Sequence, residues 1–381
     1  MDTSDQLPKV LLIGGDGGPS GVPRHILHLA TALQSDAQIT VASDVNLGGY
    51  DGLADVGASH ITLPGLQSHL SAAHLWRGWR GLLRLLKTHS ADLVWLHARL
   101  PVVMGRTALA IRLWRPKHRV AVTFHGLPFG AGHRPMANSV SRWIERVLLT
   151  VCPPLDLVFL SQYAADTMVK TIGHKRLGRH RIHVLPNCSD LGALPTKTHS
   201  DHRQLVMTGR VGWQKNYQRA AQILAHLPDH FQLTLCGAGT DEKAFQSDMA
   251  ARLPKDVAAR INYAGPVQDV RPYLMSADGY LLCSRYEGMP IGTLEAFEAG
   301  LPIILSDFEG ADELAAKHPF ALMLDFADMP KDAEKIENLI NRYRASETTA
   351  HQEIRKVWDT EWSPKVFAEN AKALVKDLIR A

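Results

Sequence analysis

The chain has 381 residues, of which 45% are hydrophobic and 21% charged, with a net charge of +4. That length exceeds what one hydrophobic core ordinarily supports, so two domains are expected, and the balance excludes a disordered chain. Cys152, Cys188, Cys236 and Cys283 lie far apart with no CxxC pairing, which excludes a disulfide framework or a cysteine zinc site.

The cysteine usage fits a reducing cytoplasm; the polar start MDTSDQLPKV is not read as a signal peptide, and without an apolar run of about 18 residues no membrane span is predicted. From there strand-like apolar runs alternate with helical stretches: KVLLIGG (9–15), AQITVAS (37–43), DLVWLH (92–97), RVAVTFHG (119–126) and DLVFLS (156–161). Between them GVPRHILHLATALQ and SVSRWIERVLLTV read as helices. This rhythm predicts a parallel α/β sheet covered on both faces. After RIHVLPNCSD the aperiodic LGALPTKTHSDHRQ reads as a linker, and a second series follows: LVMTGRV, FQLTLCG, INYAG, GYLLCS, PIILSD and ALMLDF. We therefore expect two doubly wound domains, residues 1–190 and 191–363, with a last helix over 364–381 returning to the first. In such sheets ligands bind beyond the carboxyl ends of the strands.

Charge is unevenly distributed. Residues 74–150 carry thirteen lysines and arginines against Asp92 and Glu145, a net +11. An anionic surface or ligand near the first domain is implied. HLWRGWRGLLRLLKTH (74–89) sets Trp76 and Trp79 among Arg77, Arg80, Arg84 and Lys87, a pattern suited to an anionic membrane surface and equally to a helix packed on its own sheet. No nucleic-acid module is recognisable, so no nucleic-acid partner is expected.

The second domain's strand ends carry the sharper chemistry. TGRVGWQKN (208–216) puts Arg210 and Lys215 in a loop made small by Gly209 and Gly212, which suits a diphosphate needing charge neutralisation. GYLLCSRYEGMPIGTLEAFEAG places Glu287 past a buried strand and opens a helix at about Ile291, whose first turn offers N–H groups to an anion. Glu295 lies about one turn inside that helix, so Glu287 and Glu295 can face one ligand across the turn. The glycines of IGGDGGPSG miss the G-x-G-x-x-G spacing, since Ser20 stands at the third position, which also denies Asp44 a ribose role; no GK[ST] follows. His97 and His125 each end a strand, and His97 reads as a core histidine rather than a metal ligand. With no Asp-x-Asp pair, a metal-independent site is expected.

Glu287 and Glu295, set seven residues apart within SRYEGMPIGTLEAFEAGLPII, resemble the E-x7-E motif of retaining glycosyltransferases of family 4. TGRVGWQKN, VLPNCSD, CGAGTD, NYAGPVQDVRPYLMSADGYLLCS, GGPSGVPRHILHLATAL and VTFHG resemble further family segments, in family order and over nearly the whole chain. Cys188 departs from the family's usual glycine. The resemblance implies the GT-B fold, two Rossmann-like domains facing across a cleft. It also implies sugar transfer from a nucleoside diphosphate donor, with retention, to a glycan or lipid-linked acceptor. Arg210 and Lys215 would then hold the donor diphosphate, Glu295 the ribose, and Glu287 the transferred sugar. Gly292 and Thr293 would offer backbone donors to phosphate, His125 would line the site near the sugar, and Gly21 would give the backbone room. Gly209, Gly237, Val267, Gly288, Met289, Pro290 and Ile291 complete the implied donor site. Neither cofactor nor metal is implied, and peripheral residence on the inner face of the cell membrane is expected. A nucleotide-sugar epimerase and an inactive binding module of the same architecture are the alternatives.

Overall fold

The computed structural model describes residues 7–68, 71–198 and 200–380. The polar start 1–6, His199 of the expected linker and Ala381 at the expected end of the last helix lie outside the described residues. Contacts divide the chain into two compact units. The first takes in the described parts of Met1–Phe129, Arg134–Cys188 and Pro364–Ala381, and the second Gly130–His133 and Ser189–Ser363. Residues 130–133, expected in the first domain, thus group with the second.

The first unit is a sheet of seven parallel strands: β1 (Lys9–Ile13), β2 (Gln38–Ser43), β3 (Ser59–Thr62), β4 (Leu93–Leu96), β5 (Val120–Phe124), β6 (Asp156–Phe159) and β7 (Arg181–Val184). Their order is β3-β2-β1-β4-β5-β6-β7. The helices are α1 (Gly21–Leu33), α2 (Ala72–Thr88), α3 (Arg99–Ala110), α4 (Pro135–Val151), α5 (Gln162–Ile172), α6 (His174–Leu177) and, from the chain's end, α15 (Pro364–Arg380). Side chains alternate across a strand, and here both faces are covered. Val10 and Leu12 of β1 join Ile26 and Leu29 of α1 and Phe367 and Val375 of α15. Leu11 and Ile13 join Leu82, Leu109, Leu149 and Met168 on the opposite face. α2 is part of that cover: Gly78, Leu82, Leu85 and Leu86 are buried, and of its large apolar side chains Trp76 stands exposed.

The second unit is a six-stranded parallel sheet: β8 (Arg203–Thr208), β9 (Phe231–Cys236), β10 (Ile261–Gly265), β11 (Gly279–Leu282), β12 (Ile303–Ser306) and β13 (Ala321–Leu324). The order is β10-β9-β8-β11-β12-β13. Its helices are α7 (Tyr217–Leu224), α8 (Lys243–Ala251), α9 (Lys255–Ala258), α10 (Arg271–Met275), α11 (Ile291–Glu298), α12 (Ala311–Lys317), α13 (Met329–Ala345) and α14 (Glu347–Glu361). Leu205, Leu233, Leu281 and Ile304 from the strands pack with Leu224, Phe297 and Ile340 from the helices in one core. Each sheet reverses its winding between neighbouring central strands, β1 and β4 in one and β8 and β11 in the other. The loops beyond their carboxyl ends are where such sheets bind ligands.

In the first unit Arg106 of α3 donates twice to Glu145 of α4, at 2.6 and 2.8 Å, with both groups buried. A buried ion pair adds little net stability when intact, but removing one partner strands the other charge. Glu145→Ala should cost roughly 3–5 kcal/mol in chemical denaturation, while the apolar pair Arg106→Met with Glu145→Leu should restore most of the loss.

Candidate active site

The loop after β8 is set by glycine. Gly237, after β9, has φ +154°, and a Cβ there would lie 1.9 Å from the Gly209 carbonyl oxygen; Gly209 has φ +143° and would meet the Lys215 side chain at 2.4 Å. Both residues sit in backbone that favours glycine and lets two strand ends touch. Tyr217 holds the same turn by donating to the Gly209 carbonyl. The loop is also tied to the end of β11, because the Arg285 N–H donates to the Gln214 carbonyl at 2.8 Å and the Arg285 guanidinium lies 3.8 Å from the Trp213 ring centroid.

These ties bring Lys215 to Glu287. Lys215 Nζ lies 2.8 Å from Glu287 Oε1, with the two side chains 17% and 8% exposed. Ser284 Oγ donates to the same oxygen at 2.7 Å, and Gln214 Nε2 to Oε2 at 3.0 Å. The family pattern implies Lys215 at the diphosphate and Glu287 at the sugar as separate contacts; in the structure they are one hydrogen-bonded unit. Arg210, in the same loop, is exposed.

α11 begins at Ile291, four residues after Glu287. A Cβ at Gly292 would lie 2.3 Å from both Thr208 Oγ1 and Tyr280 Oη, so glycine lets the helix start approach the last residue of β8 and a side chain of β11. Those two hydroxyls are themselves 2.8 Å apart. The Thr293 N–H bonds the Pro290 carbonyl at 3.0 Å and is thus not the spare donor expected of it. Its hydroxyl is buried without a hydrogen-bond partner. Glu295 is buried one turn inside α11. Glu298 accepts the Leu191 N–H at 2.8 Å, and burial raises its pKa; it holds the start of the second unit's chain rather than a ligand. Gly288 and Met289 are half-buried, Pro290 and Ile291 are buried, and Val267 packs against the same unit's core.

Residues 202–342 match the family model for glycosyl transferases group 1, and residues 19–192 match that for glycosyltransferase family 4. The chain belongs to this group of glycosyltransferases. A relative from Escherichia coli, UDP-Gal:alpha-D-GlcNAc-diphosphoundecaprenol alpha-1,3-galactosyltransferase, is 25% identical over 313 residues, 75% of this chain and 77% of that protein. Among solved structures, Anabaena HepE in complex with UDP and glucose resembles the chain with a TM-score of 0.75 at 14% identity, over 97% of this chain and 100% of that one. Sucrose-phosphate synthase from Thermosynechococcus elongatus gives 0.77 at 15% identity, over 98% and 99%. The fold of this glycosyltransferase is therefore GT-B.

In the glycosyltransferase's first unit, Gly21 opens α1 with nothing within 4 Å of where a Cβ would stand, so sterics alone do not require glycine there. Crowding falls instead on Gly17, whose Cβ would lie 2.0 Å from the Val45 carbonyl oxygen. Asp44 is spent on the loops, accepting the N–H groups of Val45, Gly65 and Gln67. Cys188, the departure from the family pattern, is buried with Sγ 3.1 Å from His28 Nδ1.

His125 does not stand alone at the end of β5. Its Nε2 is 3.1 Å from His97 Nδ1, and its ring centroid is 4.8 Å from that of His25, whose Nδ1 meets Asn187 Oδ1 at 2.8 Å. Among the described residues these three histidines form the one group of three or more ligating side chains with atoms within 4.8 Å of one another, so they are where a metal ion would find imidazole nitrogens. His25 escapes sequence reasoning, where it is one more residue on the buried face of α1. Burial lowers the pKa of His25 to about 4 and holds His97 and His125 well below the usual value, with the neighbouring rings adding to the effect. Below pH 6.5 an unfolded chain protonates these histidines while the folded His25 stays neutral down to about pH 4. Stability present above pH 6.5 is then lost toward pH 4, by up to about 1.4 kcal/mol per pH unit for each such group. Melting temperature should fall across that window, and His25→Gln should flatten the slope.

Proposed function

We propose that the protein transfers a sugar from a nucleoside diphosphate donor, bound at the second unit, to a hydroxyl of a lipid-linked or surface-polysaccharide glycan, with retention of anomeric configuration. The observation that carries this reading is the Lys215–Glu287 pair at 2.8 Å beside the start of α11. A cation, an acceptor-only carboxylate and a helix N-terminus at the ends of adjoining strands offer what a sugar diphosphate needs: charge neutralisation for the phosphates and an anchor for the sugar hydroxyls.

Donor binding exchanges partners at Lys215. The ammonium turns toward phosphate oxygen, and Glu287, still held by Ser284 and Gln214, accepts from a sugar hydroxyl. Glu295 accepts from the ribose, and Arg210 closes on the diphosphate from its exposed loop. The bond from the anomeric carbon to the leaving phosphate oxygen breaks as the acceptor oxygen attacks from the same face, and the acceptor's proton passes to that phosphate. Lys215, Arg210 and the dipole of α11 stabilise the charge that develops on the leaving group. The acceptor class follows from the Escherichia coli relative, which is named for a diphosphoundecaprenol-linked sugar.

Lys215→Ala and Arg210→Ala should each lower kcat by about 100-fold or more with a smaller change in KM, measured as nucleoside diphosphate release in the presence of acceptor. A raised KM at unchanged kcat would remove them from transition-state stabilisation. Interconversion of the donor sugar without acceptor would support the epimerase alternative instead. Because cationic side chains and a helix dipole offset the leaving charge, EDTA treatment followed by gel filtration should leave turnover unchanged. A loss restored by zinc would assign a metal to the three histidines.

A further inference from the structure

The three histidines of the first unit carry more nitrogen than their hydrogen bonds use. His25 stands on α1, His97 directly follows β4 and His125 directly follows β5. Asn187 Oδ1 can only accept, so at 2.8 Å it draws the His25 ring proton to Nδ1 and leaves Nε2 with its lone pair. That Nε2 is buried with no hydrogen-bond partner, and so is Nε2 of His97. Buried polar atoms are ordinarily paired, and two unpaired imidazole nitrogens within one cluster call for a water or an ion.

The spacing suits an ion. Around zinc, nitrogens bound at about 2.0–2.1 Å in a tetrahedron stand roughly 3.4 Å from one another. His97 Nδ1 and His125 Nε2 are already 3.1 Å apart. The whole set lies within 4.8 Å, so side-chain movement of roughly an ångström closes it. Its shell is also that of a metal site. Asn187 fixes the tautomer of His25, as outer partners do for ligating histidines, while Trp95 stacks on His97 and Phe367 meets His25 edge-on. The group contains no carboxylate, and three neutral imidazoles select zinc, cobalt, nickel or copper over magnesium and calcium. Three protein ligands leave a fourth position for water or a small anion.

We propose that His25, His97 and His125 bind one divalent transition-metal ion of the zinc class, with Asn187 as the residue that orients His25. When His97 and His125 both take the ion, the proton they share moves to the other nitrogen of its ring, so the three neutral imidazoles release none. The ion ties α1 to the ends of β4 and β5, and its binding energy adds to the stability of the first unit. It has no part in offsetting the leaving group's charge, which falls to second-unit residues in the proposed reaction. Binding here is therefore compatible with turnover that EDTA leaves unchanged.

Cobalt(II), as a coloured stand-in for zinc(II), tests the site. Untagged protein stripped with EDTA and gel-filtered should take up one equivalent, with the visible absorption of a tetrahedral nitrogen site. Zinc(II) should displace it, whereas magnesium and calcium should not. Melting temperature should rise with zinc concentration. Asn187→Leu should weaken cobalt affinity about 10–100-fold, and His25→Gln and His125→Gln should each abolish the band. His125 is only half-buried, so its variant keeps the test open if the His25 substitution impairs folding. None of these readouts involves a donor, which separates a failure here from a failure of the transfer reading. Absence of both the band and the melting shift would overturn the proposal and leave water as the partner of the two nitrogens. A band that survives in both glutamine variants would overturn it as well, by placing the metal on other histidines.

Discussion

The arrangement of the second unit's strand ends depends on one ion pair between two loops that are distant in sequence but meet at adjoining strand ends. Lys215 and Glu287 are 72 residues apart, and both are largely withdrawn from water. Ordering and partly desolvating two opposite charges costs more than a surface contact returns, and such a pair persists where further hydrogen bonds complete it. Here Ser284 and Gln214 supply those bonds. The backbone makes this possible, because Gly209, Gly237 and Gly292 remove the Cβ atoms that would hold β8, β9 and α11 apart. A side chain at any of the three would move the loop, and with it the lysine, before it touched a ligand.

In the proposed reaction the pair also sets how donor binding begins. A lone ammonium beside a helix N-terminus, whose dipole is positive there, is poorly placed until an anion arrives. Glu287 is the anion at Lys215 in this structure, and in the proposed reaction a donor phosphate replaces it at the lysine. The carboxylate then has an acceptor position open for a sugar hydroxyl while keeping its two other donors. In the proposed reaction one local exchange thereby couples phosphate binding to sugar recognition.

Much of this was legible in the sequence. All six strands of the second unit announced themselves as apolar runs ending in small or polar residues, and the start of α11 at Ile291 followed from the Pro-Ile-Gly turn. β3 and β7 escaped notice because they are the edges of their sheet, and SHIT and RIHV, with half their residues exposed, lack an apolar run. α4 begins at Pro135, four residues before the apolar period shows, since its first turn packs on little. What periodicity could not convey was which helix spends its apolar residues on the core: α2 and α4 have similar patterns, and burial alone separates them. Nor could spacing show that Lys215 and Glu287 touch, that the Thr293 N–H is already bonded, or that His25 joins His97 and His125, because each depends on how the folded backbone brings these groups together.

The two units differ in charge. The first gathers the basic excess of residues 74–150, with Glu145 buried against Arg106 and Asp92 accepting the Lys9 N–H, and the second concentrates a few charged groups at its strand ends. The claim that joins sequence to function is that those groups bind a nucleoside diphosphate. Isothermal titration of UDP, GDP and ADP into the wild-type protein, Glu295→Ala and Lys215→Met tests it most directly. One of the three nucleotides should bind, with affinity falling about tenfold or more, roughly 1.4 kcal/mol, in each variant. Binding of none of them, or equal binding by wild type and both variants, would contradict the account.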